Sequence, residues 1–157
     1  MKLQIGDKAP VFSLSDQKGE KHDLKQYQGR WLLLYFYPRD NTPGCTKEAC
    51  SIRDNYSQYK KNEIAVLGVS TDNAESHEKF ATKHELPFTL LADPKKEVVK
   101  IYGVYGRKHS FGKSYFGTNR VSFLIDPQGK IAKIYEDVKP TEHAEEVLRD
   151  IATLKNK

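Results

Sequence analysis

The sequence predicts an α/β domain in which a central mixed β-sheet is flanked by helices on both faces. Three observations predict it. The apolar runs Trp31–Tyr37 and Ile64–Ser70 have the composition of strands buried on both sides. The segment between them carries apolar residues at helical spacing, so a parallel strand pair joined by a right-handed helical crossover is expected. Further on, Val121–Ile125 and Ile131–Tyr135 flank Asp-Pro-Gln-Gly129, the pattern of an antiparallel hairpin, which makes the sheet mixed. With 157 residues and no internal repeat, the chain reads as a single domain over 1–157.

After the first strand, Thr42-Pro43 reads as a helix start, with Thr42 at the N-cap and Pro43 at the first helical position. Ala49, Ile52, Tyr56 and Tyr59 then share one helix face with Cys45. Asp72-Asn-Ala-Glu75 has the form of a capping box opening a helix that runs to about His84. Pro87–Leu91 is a short strand, and Lys96–Tyr102 a short helix after Asp93-Pro94. The segment 103–117, glycine- and aromatic-rich, reads as a surface connector. A last helix follows Pro140, its apolar stripe being Ala144, Val147, Leu148, Ile151 and Leu154. This order of elements is that of the thioredoxin-like fold.

Composition excludes several classes. Hydrophobic content of 38% with 30% charged residues suits a soluble globular protein, and no run is long enough to span a membrane. The N-terminus lacks the apolar core of a secretory signal, and two cysteines are too few to staple a secreted fold, so a cytoplasmic location is expected. The net charge of +5 comes from interleaved lysines and acids without a nucleic-acid-binding motif, which reads as a solvated surface. The five histidines (22, 77, 84, 109 and 143) lack ligand spacing and read as surface residues; no metal or cofactor is expected.

The chemistry concentrates at Cys45 and Cys50, the two cysteines of the chain. Cys45 falls in the first turn of the predicted helix, where unpaired backbone N–H groups and the helix dipole favour a thiolate. The run Tyr-Pro-Arg-Asp-Asn-Thr-Pro-Gly-Cys45-Thr-Lys-Glu-Ala-Cys50 resembles the active-site signature of the peroxiredoxins, and its cysteine spacing resembles the bacterioferritin comigratory protein (peroxiredoxin Q) subfamily. The likeness extends to Gly-Asp-Lys-Ala-Pro-Val-Phe-Ser-Leu14, Val-Leu-Gly-Val-Ser-Thr-Asp72 and Asn-Arg120-Val-Ser-Phe-Leu-Ile-Asp126. It implies a thiol peroxidase acting on hydrogen peroxide and organic hydroperoxides, recycled by thioredoxin through an intramolecular disulfide, and a monomer. By the same resemblance Cys45 is the peroxidatic cysteine and Cys50 the resolving one. Thr42 orders the peroxide, Pro38 shields the oxidised sulfur, and Arg120 stabilises the thiolate and the departing oxygen.

These residue types suit that reaction. An unperturbed thiol, with pKa about 8.5, is only a few per cent thiolate at neutral pH, so helix N–H groups and a guanidinium raise the reactive fraction and stabilise the leaving oxygen. Arg120 opens the strand Val121–Ile125, which is expected to run antiparallel to Trp31–Tyr37, so that Arg120 lies beside the end preceding Cys45. Glu48 is either an orienting group or a solvated helix carboxylate. In an intact helix, residues five apart have Cα atoms roughly 8–9 Å apart. A disulfide needs about 4.4–6.8 Å, so the implied bond requires the helix to unwind. Two other functions compete. A general thiol–disulfide oxidoreductase would carry Cys-x-x-Cys, whereas this chain has Cys-x-x-x-x-Cys. A zinc module would need about four ligands, and two cysteines without a histidine pattern fall short.

Overall fold

The computed structural model describes residues 2–110 and 112–156. The sheet is organised by β3 (Trp31–Phe36), because period-2 alternation sends its large side chains into two layers. Leu33 and Tyr35, with the following Tyr37, enter one core; Leu32, Leu34 and Phe36 enter the other. On one side β3 pairs in parallel with β4 (Ile64–Ser70), and β4 in parallel with β5 (Thr89–Ala92). On the other side it pairs antiparallel with β8 (Val121–Ile125), and β8 with β9 (Ile131–Tyr135). A polar hairpin, β1 (Ser13–Asp16) and β2 (Lys21–Asp23), completes the order β2-β1-β5-β4-β3-β8-β9. That hairpin carries no apolar alternation, which is why the sequence does not announce it.

Helices α1 (Pro43–Asp54), α2 (Tyr56–Lys61), α3 (Ala74–Lys83) and α5 (His143–Lys155) pack on the layer that holds Tyr35 and Tyr37. The opposite layer is covered by α4 (Glu97–Ile101) with Ala9, Phe12 and Tyr102. The mixed sheet with helices on both faces is therefore present, although its two faces are unequally covered. Among the described residues no helix is long and apolar enough to cross a membrane.

Local chemistry moves several expected boundaries. The helix after Pro43 breaks at Asn55, whose Nδ2 donates to the Ser51 carbonyl at 2.8 Å. Asn73, not Asp72, caps α3 by accepting from the Ser76 N–H at 2.8 Å. The segment 103–117 is no irregular connector: β6 (Tyr105–Ser110) and β7 (Lys113–Thr118) pair as a separate two-stranded ribbon. Because much of β7 is exposed, the ribbon shows no burial-driven alternation for sequence reading to detect. His77 and His143 are fully buried rather than superficial, since hydrogen bonds satisfy both nitrogens of each ring.

Candidate active site

Cys45 is the third residue of α1 and is buried, 1% exposed, in the first turn. The register Phe36↔Val121 places Arg120 opposite the C-terminal end of β3, as the predicted antiparallel pairing requires. From there one guanidinium spans two groups: Nη2 donates to Cys45 Sγ at 3.4 Å and Nη1 to Glu48 Oε1 at 2.8 Å. Glu48 lies three residues beyond Cys45 and so one turn along the same helix face. It is fully buried, which settles the alternative left open by the sequence: the carboxylate orients Arg120.

The charges here are strained by burial. Desolvation pushes the Glu48 carboxyl up to about 7, against the pull of Arg120. Arg120 is itself shifted upward, because Cys45 and Glu48 outweigh its own desolvation. Glu48 Oε2 and the hydroxyl of Tyr35 are buried with no hydrogen-bond partner among the described residues. Burial, chiefly, and then the nearby charges of Glu48 and Cys45, hold the Tyr35 phenol well above its ordinary value.

Gly44 was not singled out by sequence reading, yet it makes the guanidinium's position possible. A Cβ there would lie 2.9 Å from Arg120 Nη2. The signal was a glycine next to the cysteine in a helix's first turn, where its cost in helix stability needs a reason.

Thr42 and Pro38 stand on the loop between β3 and α1, both half-buried. Thr42 occupies the N-cap with extended backbone but makes no side-chain cap. Its Oγ1 donates instead to the Arg39 carbonyl at 2.8 Å, which leaves the oxygen's lone pairs free to accept a hydrogen bond. With Lys108, Tyr115 and Phe116 of the ribbon, both residues line a cleft of about 530 Å³. Cys50 is half-buried further along α1, and both cysteines are free thiols.

Asp40, Asp72 and His77 present ligand atoms within 4.8 Å of one another. Both Asp40 oxygens, both ring nitrogens of His77 and Oδ2 of Asp72 are already engaged in hydrogen bonds with Tyr37, Ser76, Ser70, the Leu91 carbonyl and one another, so the cluster reads as a hydrogen-bond network rather than a metal centre.

A mixed sheet with a cysteine in the first turn of the helix after its central strand places the chain among thioredoxin-like proteins. The comparisons narrow this. A family model described as "AhpC/TSA family" matches residues 5–134. Peroxiredoxin Bcp of Escherichia coli K12 is 49% identical over 146 residues, covering 93% of this chain and 94% of that protein. Peroxiredoxin Bcp of Bacillus subtilis is 41% identical over 157 residues, covering 100% of both. Among solved structures, a mutant of Xylella fastidiosa PrxQ superposes with a TM-score of 0.92 at 32% identity, covering 99% of each chain. Xanthomonas campestris bacterioferritin comigratory protein, described for its alkyl peroxide reduction activity, gives 0.86 at 32% identity over 91% of each chain. The chain belongs to the AhpC/TSA family, as a peroxiredoxin of the Bcp/PrxQ type, and its activity is that of a peroxidase.

Proposed function

We propose that this chain reduces hydrogen peroxide and organic hydroperoxides with Cys45 as the peroxidatic thiol and Cys50 as the resolving one, and that thioredoxin recycles it. The single observation that carries this reading is the Arg120 guanidinium seated between Cys45 Sγ and Glu48. A fixed cation beside sulfur favours the thiolate and, as the O–O bond breaks, also stabilises the oxygen that departs.

The Cys45 thiolate attacks one peroxide oxygen along the O–O axis. A sulfur–oxygen bond forms, the O–O bond breaks, and the departing hydroxide or alkoxide takes up a proton to leave as water or alcohol. The Thr42 hydroxyl accepts from the peroxide O–H while Pro38 keeps stray water from the new sulfenic acid. The Cys50 thiol then attacks the sulfenic sulfur, forming the disulfide and releasing water. A thioredoxin dithiol returns both cysteines to thiols and leaves oxidised. One chain holds both cysteines, so a monomer suffices; a cytoplasmic site, where such reductants operate, fits.

In α1 as folded, the two cysteines are separated by a rise of about 7.5 Å, so resolution requires local unwinding. Half-burial of Cys50 and the helix break at Asn55 leave the unwinding segment bounded by Thr42 and about Arg53.

The test is a single-turnover assay on two variants. Cys45→Ser abolishes peroxide consumption, whereas Cys50→Ser consumes one equivalent and stalls under thioredoxin recycling. Equal loss of the first turnover in both sinks the assignment. In the oxidised wild type, amides of residues 42–53 exchange faster than in the dithiol form while β3 stays protected. A Cys45–Cys45 dimer on a non-reducing gel contradicts the intramolecular route.

A further inference from the structure

A second knot of largely buried polar groups ties the 38–42 loop to α3, β4 and β5. Asp40 Oδ2 is 2.7 Å from His77 Nδ1 on α3 and accepts from Ser76 Oγ at 2.8 Å. Asp40 Oδ1 accepts from Tyr37 Oη at 2.6 Å, and His77 Nε2 lies 2.9 Å from the Leu91 carbonyl. The Asp40 backbone N–H donates to Asp72 Oδ2 at 2.8 Å, and Ser70 Oγ donates to the same oxygen at 2.7 Å.

A carbonyl only accepts, so Nε2 carries a hydrogen and donates to Leu91. Tyr37 and Ser76 supply hydrogen bonds to the two Asp40 oxygens, and the second ring nitrogen is held against the same carboxyl. Burial raises the Asp40 carboxyl, and these hydrogen bonds outweigh it and hold it below the usual range. Both nitrogens of the ring and both oxygens of the carboxyl are thus engaged, which fixes the two side chains against each other.

The loop this pair ties down includes a residue in uncommon backbone. Asn41 has φ of 63°, left-handed backbone that a non-glycine residue keeps where its surroundings hold it. Thr42 follows directly, and Pro38 precedes Asp40 by two residues. We infer that Asp40 and His77 are positioning residues for the peroxidase reaction, their buried hydrogen-bonded contact holding the loop so that Thr42 and Pro38 face Cys45. The inference rests on the assignment of Cys45 above. The pair acts on how the peroxide is received, whereas Arg120 and the helix amides act on the thiolate.

The experiment measures two rates on the reduced full chain: oxidation by one equivalent of hydrogen peroxide in stopped flow, and alkylation by iodoacetamide. In Asp40→Asn and His77→Gln the oxidation rate falls by about 10- to 100-fold, the scale of a displacement near 1 Å at a reacting centre. Alkylation stays within about twofold of wild type, because sulfur and guanidinium are undisturbed. The double variant loses little more than the worse single one, since both break one interaction. Wild-type oxidation in both single variants, or equal falls in oxidation and alkylation, overturns the inference. If Cys45 itself were wrongly assigned, Cys45→Ser would still consume peroxide, a separate result. Should the two variants not fold, Ser76→Ala removes one hydrogen bond from a half-buried position and slows oxidation about threefold with alkylation unchanged; an unslowed oxidation overturns the inference.

Discussion

Two buried carboxyl pairs flank the start of α1, Asp40–His77 and Glu48–Arg120, and they are built to different standards. In Asp40–His77 both carboxylate oxygens and both ring nitrogens have partners, and the carboxyl is held below its ordinary value. In Glu48–Arg120 one carboxylate oxygen has no hydrogen-bond partner among the described residues, and burial pushes the carboxyl up to about 7. The first pair is a closed structural joint. The second gives up hydrogen-bond satisfaction to keep a guanidinium against a sulfur atom. On the proposed function, full satisfaction marks the group that holds the loop, and incomplete satisfaction marks the group beside the reacting thiol.

The sharpest way to break this contrast is to remove one member of each pair. Asp40→Ala leaves the buried side chains of Tyr37 and His77 without their shared partner and costs about 1–3 kcal/mol of stability for each group left unsatisfied, read by chemical denaturation. Arg120→Ala or Arg120→Lys instead falls on rate: the first oxidation slows on the order of 10²–10³-fold in stopped flow, because only a planar guanidinium reaches sulfur and carboxylate together. A wild-type rate in the Arg120 variants reduces that residue to a surface support.

Stability against pH separates the pairs by sign. A carboxyl raised by burial binds its proton more tightly in the folded state, so its contribution is present below the unfolded value and lost as pH rises. For Glu48 the window runs from 4.5 to about 7, and its span corresponds to about 3 kcal/mol. Asp40, being depressed, contributes stability that is present above 3.8 and lost as acid protonates it. Glu48→Gln accordingly flattens the unfolding free energy between pH 4.5 and 7 and stabilises the protein at pH 8, while its amide oxygen still accepts from Arg120. An unchanged pH slope in that variant removes Glu48 as its source.

The smallest effect is steric. Gly44→Ala pushes on Arg120 Nη2 from 2.9 Å, and the guanidinium, the end of a flexible side chain, gives way. Unfolding is nearly unaffected, yet the first oxidation slows about tenfold as the sulfur contact lengthens, the residue of an electrostatic loss smaller than full removal. Equal rates for glycine and alanine show that the guanidinium has room to spare.

The central strands, the crossover helix, the C-terminal hairpin and the placement of Cys45 at a helix start are determined by sequence, because buried strands and apolar helix faces must write their periods into the chain. Arg120's place at the end of β3 also followed, once the hairpin was read as antiparallel to that strand. Polar, exposed elements leave no such imprint, so β1, β2 and the β6–β7 ribbon were settled only by pairing in space. The same holds for charge. Nothing in the spacing of Asp40 and His77, or of Glu48 and Arg120, says that they meet; the sheet register and the packing of α1 and α3 bring them together. Burial energies depend on what surrounds a group in three dimensions. Whether a histidine is a solvated side chain or a buried, doubly hydrogen-bonded one, and whether a glutamate is a helix ornament or the brace of a guanidinium, is therefore decided by the tertiary structure.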